Sequence, residues 1–349
     1  MPRVRHANYG SLTGASAERR KVGAAPPTGY LANMPAARRG IRAVLWLANL
    51  HRRLLGVVFA VVGPRVAYAV TGAFARLIYW LLLPLRMRSE AQCRAALAGR
   101  VLPQDVPRIA QESWVHGVWN VTDLLLAERL LHPGTYARYG GRVPESHLST
   151  LLAAQQRRQP VILLSAYYGP FDLLPVFLGY NGVRAAVLYQ RHPNAAFDAE
   201  RRRVRARSGC ELVPVEQAIE RLPQVLEAGG TLAVVADHYA ERRGVTVTFL
   251  GLPTTAVRTV GVLACRYNAG IVVAGMRRLG EAFRFEIDVA DVIVPADWAG
   301  ATDAVAYITR RYVQALERLV LRDPTQYSWL HARWGEELAQ RLTETAEAR

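Results

Sequence analysis

Lysine is almost missing from this chain of 349 residues: Lys21 stands alone, so a net charge of +16 is carried nearly entirely by arginine. Arginine presents a planar fork that grips phosphate or carboxylate through two hydrogen bonds. The partners this favours are an anionic membrane surface, an acidic carrier protein, a nucleotide-bearing donor or nucleic acid. No nucleic-acid-recognition motif accompanies the arginines, so charge alone speaks for nucleic acid. Cysteine is also scarce. Cys93, Cys210 and Cys265 make an odd number with no C-x-x-C spacing, which fits a reducing compartment and offers no metal framework. The cysteine pattern therefore implies no metal and no disulfide.

A long uncharged apolar run is missing too. The most apolar stretch, about 42 to 86, is interrupted by Arg53, Arg65, Arg76 and Arg86, leaving uncharged runs of 11, 10 and 9 residues. Crossing a bilayer takes about 20 predominantly apolar residues. Arginine is favourable at the headgroup level, and Trp46, Tyr68, Tyr79 and Trp80 suit that boundary. Helices lying partly in one leaflet are one reading of the stretch. A helical layer packed on the domain is a second, and a tilted span over 66 to 85 with Arg76 snorkelling is a third.

What is present is ample apolar material, 51% of the chain, enough for one large α/β domain with extensions. Residues 1–40 are rich in Gly, Pro and Arg without an apolar period and read as a disordered basic arm, unlike a signal peptide. Residues 41–88 form the apolar membrane-associating region and 89–158 a helical lead-in that carries no chemistry by itself. An α/β domain follows over 159–335, with a tail at 336–349. After Pro160, strands fit 161–166, 184–190, 211–215, 231–236, 245–250 and 271–279, with 283–289 returning as a hairpin across Gly280. Helices fit 195–207, 216–228, 255–268 and 302–321. This alternation predicts a mostly parallel central sheet with flanking helices, whose working residues sit just past the carboxyl ends of strands.

Four such turns stand out. The first reads Ser165-Ala166-Tyr167-Tyr168-Gly169-Pro170-Phe171-Asp172. The second runs Tyr189-Gln190-Arg191-His192-Pro193-Asn194, followed by an arginine-rich segment that includes Arg205 and Arg207. The third is Asp237-His238. The fourth is Phe249-Leu250-Gly251-Leu252-Pro253-Thr254-Thr255, whose threonines are placed to cap a helix that faces an incoming anion. Near the end stands Pro324-Thr325-Gln326-Tyr327-Ser328-Trp329-Leu330-His331-Ala332-Arg333-Trp334.

In order and spacing these blocks resemble the lipid A biosynthesis late-acyltransferase family, which includes phosphatidylinositol mannoside acyltransferases. Its first block is typically A-H-F-G-N-W-E/D, so Ala166, Gly169 and Asp172 match while Tyr167 stands in place of histidine. The closing block, P-E-Q-Y/W-x-W-x-H-x-R-W/F, is the most specific match. The resemblance implies a glycerolipid-acyltransferase-like α/β fold at the cytoplasmic face of the inner membrane. It implies transfer of an acyl chain from acyl carrier protein or coenzyme A to a hydroxyl, or an amine, of a membrane lipid or glycolipid, with no further cofactor.

In such an enzyme histidine takes the acceptor's proton and the carboxylate orients it. Tyrosine, with a reference pKa of about 10, is a poor base near pH 7. Three readings of Tyr167 follow: Asp172 or a displaced histidine (His192, His238 or His331) is the base, positioning and oxyanion stabilisation suffice, or the chain binds lipid without catalysis. The candidate catalytic residues are Asp172, Tyr167, His238 and Asp237. The candidate substrate-binding residues are Arg191, Asn194, Arg205, Arg207, Gly251 and Thr254.

Overall fold

The structure, a computed structural model, describes residues 56–59, 61–191, 195–241 and 244–347. The arm at 1–40 and the first part of the apolar stretch lie outside them.

Helix α1 (Pro64–Leu81) and helix α2 (Leu83–Ala96) meet at Leu82 with a bend of 95°. Pro84 explains the break, since its ring removes an amide donor and restricts the residue before it. Among the described residues no single helix is long and apolar enough to cross a membrane; only this bent pair is, taken together. On α1 the residues Ala67, Tyr68, Gly72, Ala75 and Tyr79 are buried, whereas Val66, Val70, Phe74, Leu77 and Trp80 are exposed. One helix thus carries two apolar faces. The inner one packs on helix α3 (Val106–Leu130).

After helix α4 (Glu145–Gln156) come strand β1 (Val161–Ser165), helix α5 (Leu174–Tyr180), strand β2 (Ala185–Tyr189), helix α6 (Ala195–Ala206), strand β3 (Glu211–Pro214), helix α7 (Ala218–Glu227) and strand β4 (Thr231–Val235). Strands β5 (Val245–Phe249) and β6 (Leu252–Ala256), helix α8 (Thr259–Tyr267), strands β7 (Gly270–Arg278) and β8 (Phe285–Ile293) and helices α9 (Ala304–Arg322) and α10 (Glu336–Glu347) complete the domain. The six-stranded sheet has the order β3-β2-β4-β1-β7-β8. It is parallel except for β8, which returns antiparallel on β7 as the Gly280 turn predicts. The expected α/β class, with its mostly parallel sheet and flanking helices, is therefore what the chain adopts. β1 is buried along its whole length, as a parallel strand covered on both faces must be.

One expectation fails. Thr254, Thr255 and Ala256 do not open a helix; they belong to β6, which pairs with β5 in a separate two-stranded sheet. Leu250 and Gly251 both have positive φ, 52° and 82°, the backbone of a tight two-residue turn that closes Phe249 on Leu252. Thr254 cannot cap a helix: its hydroxyl donates to the Arg333 carbonyl at 2.9 Å, and α8 begins only at Thr259.

Arg278, at the end of β7, ties the layers together. Its guanidinium is fully buried and pairs with Asp123 of α3, which also accepts from the Tyr68 hydroxyl of α1. It donates to Asn120 Oδ1 at 3.0 Å and His116 Nδ1 at 2.6 Å. Its backbone amide and carbonyl bond both ends of the Gln326 carboxamide, at 2.8 and 2.9 Å. Burial, then the Arg278 charge, lowers the His116 pKa to about 3.

The sign follows directly. The unfolded chain takes up this proton near pH 6.5 and the folded one only near 3, so stability falls as the pH drops between the two. Each pH unit in that window removes up to about 1.4 kcal/mol. Equilibrium unfolding at pH 7 to 4 should show a shallower loss for His116→Asn than for the wild type; parallel curves would contradict the assignment.

Candidate active site

The turn after β1 is held from three directions. Asp237, fully buried two residues past β4, accepts the Tyr167 amide through Oδ2 at 3.0 Å. The Tyr167 carbonyl accepts from the Ser328 amide at 3.0 Å, and the Gly169 amide donates to the Gln326 carbonyl at 2.9 Å. Gly169 has φ 54°, and a Cβ there would lie 1.9 Å from the Met276 carbonyl oxygen. Only glycine fits. The closing block of the sequence therefore does more than pack: it anchors the turn that carries Tyr167.

Three rings then gather around the turn. Tyr167 lies 5.3 Å from His238 and 4.8 Å from His331, centroid to centroid, and the two histidines are 5.6 Å apart. His331 Nε2 donates to the Asp237 carbonyl at 3.3 Å, because a carbonyl can only accept. Burial above all lowers the His331 pKa, so its imidazole is neutral at pH 7.

Beneath the turn is a cavity of about 530 Å³, with Leu163, Val187 and Ala233 from three parallel strands and Leu174 and Leu178 from α5 among its walls. Tyr167, Asp172 and His238 all face it. A second cavity, of about 320 Å³, lies on the other side of Tyr167, Phe171 and Asp172, which line both. Its far wall is α3, through residues such as Asn120 and Val121.

The helical lead-in therefore borders this second cavity. The one signal for it was Asp123, a carboxylate inside the apolar run of α3.

The substrate-binding candidates divide. Arg205 is not a solvated docking residue: it is buried and ion-paired with Asp172. Desolvation lowers its pKa to about 10, which leaves it charged at neutral pH. Arg191 is exposed at the rim of the larger cavity, 3.7 Å from Glu216. Arg207 is exposed and donates to the Glu128 carbonyl at the end of α3. Gly251 and Thr254, in the β5–β6 hairpin, line neither cavity. Asn194 and His192 lie outside the described residues.

An apolar cavity at the carboxyl ends of parallel strands, with a few polar groups converging at one end, is where an α/β sheet commonly places its ligand. Residues 137–336 match the model of the bacterial lipid A biosynthesis acyltransferase family, and the chain belongs to that family. Membership implies acyl transfer in lipid biosynthesis, with an acyl donor and a lipid acceptor. No curated protein matches the chain.

Substituting Gly169 by Ala should destabilise the protein by about 2–4 kcal/mol, through strain and the clash with Met276. Chemical denaturation measures this, and an unchanged midpoint would mean the turn is not clamped as described.

Proposed function

We propose that the protein moves a fatty acyl chain from an acyl thioester of carrier protein or coenzyme A to a hydroxyl of a membrane amphiphile, with His238 as the base. The observation that carries this is the convergence of Tyr167, His238 and Asp172 on one apolar cavity at the ends of β1, β2 and β4. The acyl chain fills the cavity and its thioester carbonyl sits at the mouth. The acceptor oxygen attacks that carbonyl and gives its proton to His238; the C–S bond breaks, and the departing thiolate takes a proton to leave as free thiol. Tyr167 stands where the family resemblance implies histidine, and its phenol donates a hydrogen bond to the developing oxyanion. Asp237 is a positioning residue, holding the Tyr167 backbone.

The surroundings support a membrane setting. The outer face of α1 exposes Val66, Val70, Phe74, Leu77 and Trp80, an apolar stripe suited to one leaflet of the inner membrane at its cytoplasmic side. Arg86 lies over the Trp80 ring at 4.0 Å, a pairing that fits the headgroup boundary. Beside the acyl cavity a cleft of about 480 Å³ is bordered by Arg191, Arg202 and Arg203, and it shares Tyr189 and Arg191 with that cavity. Such a cationic mouth suits the phosphate of a pantetheine-bearing donor.

A second reading, a lipid-binding homologue without catalysis, is favoured by the Asp172–Arg205 pair, which engages the motif's carboxylate with a buried guanidinium. The two are separated by incubating detergent-purified protein with acyl thioester and a bacterial lipid extract. Acyl transfer predicts acceptor-dependent release of free thiol, cut at least about 100-fold in kcat by His238→Ala. Full activity in that variant would remove His238 as the base. No release with any acceptor, while lipid co-purifies, would favour the non-catalytic reading.

A further inference from the structure

The base, His238, lies against a second histidine. We infer that His331 is the positioning residue of that base: its Nδ1 accepts a hydrogen bond from the His238 ring and holds that imidazole toward the acceptor. The inference rests on the acyl-transfer reading and deepens it, since it says how the base is oriented.

The tautomer comes first. His331 Nε2 carries the ring's proton, because it donates to the Asp237 carbonyl at 3.3 Å. Nδ1 of the neutral imidazole is then a lone pair. Burial outweighs the Asp237 charge in disfavouring a His331 imidazolium, and a positive charge on His238 disfavours it further. Of the two rings His238 is therefore the one that takes a proton, and His331 is still an acceptor when it does.

Distance agrees. The imidazole centroids are 5.6 Å apart, with their planes at 81°. A hydrogen bond of about 3 Å between ring nitrogens puts imidazole centroids about 5 Å apart, so closing it takes a shift of about half an ångström. A twist of the two planes about the N–H···N line leaves such a bond intact. Catalytic hydrogen bonds are commonly long before substrate binds and tighten around it.

His331 can orient a neighbour because it is itself fixed. Its amide donates to the Ser328 carbonyl at 3.1 Å, and its carbonyl accepts from the Arg333 amide at 2.8 Å. Arg333, fully buried, donates to Thr254 Oγ1 at 3.3 Å and to the Thr255 carbonyl at 3.0 Å, which ties this segment to β6. Asp237 then registers the whole group: its Oδ2 takes the Tyr167 amide, its carbonyl takes His331, and His238 follows it in the chain.

In the transfer step the acceptor hydroxyl gives its proton to the His238 nitrogen that faces the cavity. The other nitrogen keeps its own proton and donates it to His331 Nδ1 throughout. As the C–S bond breaks, the first proton passes to the departing thiolate and His238 is neutral again. No proton moves to His331. It sets tautomer and direction, as the carboxylate of a triad does, without the charge.

Other ionisable groups face the pair. Tyr167 and Asp172 come from the turn after β1, with Arg205 of α6 paired to Asp172 and Arg191 at the cavity rim. Asp237, Arg333 and Glu336 act on His331. All of them are kept when position 331 alone is substituted, so the difference from wild type reports the pair.

The test replaces His331 by Gln, whose carboxamide can donate to the Asp237 carbonyl and still accept from His238, and by Leu, which does neither. His331→Leu should lower kcat at least about tenfold and leave the donor's KM within about twofold. It should also move the acid limb of the kcat/KM profile down by about half a pH unit or more, because an imidazolium that loses an acceptor holds its proton less tightly. His331→Gln should recover most of the rate and return the limb to its wild-type position. Equal losses in the two variants, or a limb that stays put in His331→Leu, would overturn the inference. Nitrogen-15 spectra of the imidazoles read the pair without turnover. His331 should stay in the Nε2–H tautomer while His238 takes up a proton, at lower pH in His331→Leu than in the wild type. That pattern in a protein that acylates no acceptor keeps the pairing and removes the acyl-transfer reading. A His331 ring that protonates before His238, or a His238 titration indifferent to His331→Leu, removes the pairing.

Discussion

Burying the Arg278 guanidinium obliges the protein to surround it, because an unpaired charge in the interior is strongly destabilising. Its partners come from α3, through Asp123, His116 and Asn120; the Tyr68 hydroxyl of α1 donates to Asp123, and Gln326 of the closing segment bonds the Arg278 backbone. Of these elements, α3 and the closing segment border the smaller cavity, and the closing segment also holds the turn after β1. Satisfying one cation thus fixes how the apolar helix pair, the lead-in helix and the sheet meet. The Trp119 and Tyr68 rings, 5.4 and 5.6 Å from the guanidinium, close the shell.

The site inherits its geometry from that arrangement. Gln326 bonds Arg278 through its side chain and the Gly169 amide through its carbonyl, so the turn carrying Tyr167 is registered against the buried network. A second ion pair, Asp172 with Arg205, joins the turn to α6 on the other side. Between the two anchors the chain holds Tyr167 against His238 and His331. The larger cavity and the smaller one are then the two sides of a single clamped turn.

Much of this was legible in the sequence where a local pattern carries the information. The continuous apolar runs of β1, β2, β4 and β7 mark buried parallel strands, and the turns after β1, β2 and β4 include residues that converge on the larger cavity. The β5–β6 hairpin was not legible: Leu250 adopts a positive φ that its side chain disfavours, and Thr254-Thr255 imitates a helix cap. Partnerships across long separations were hidden as well. Arg278 meets Asp123 across 155 positions, and Arg205 in a run of arginines gives no hint that it is drawn inward to Asp172. Exposed Arg202 and Arg203 have the same composition around them and the opposite fate. His331 stood among three histidines able to replace the missing base, and its contacts with Tyr167 and Asp237 were hidden because they come from other parts of the chain.

A crystal structure with a non-hydrolysable acyl thioester analogue bears most directly on how the two cavities work. The arrangement predicts the hydrocarbon chain among Leu163, Leu178 and Val187, with the thioester carbonyl between Tyr167 and His238 and the smaller cavity left open. A chain lying along the outer face of α1, or one that fills the cavity beside Asn120, would contradict it.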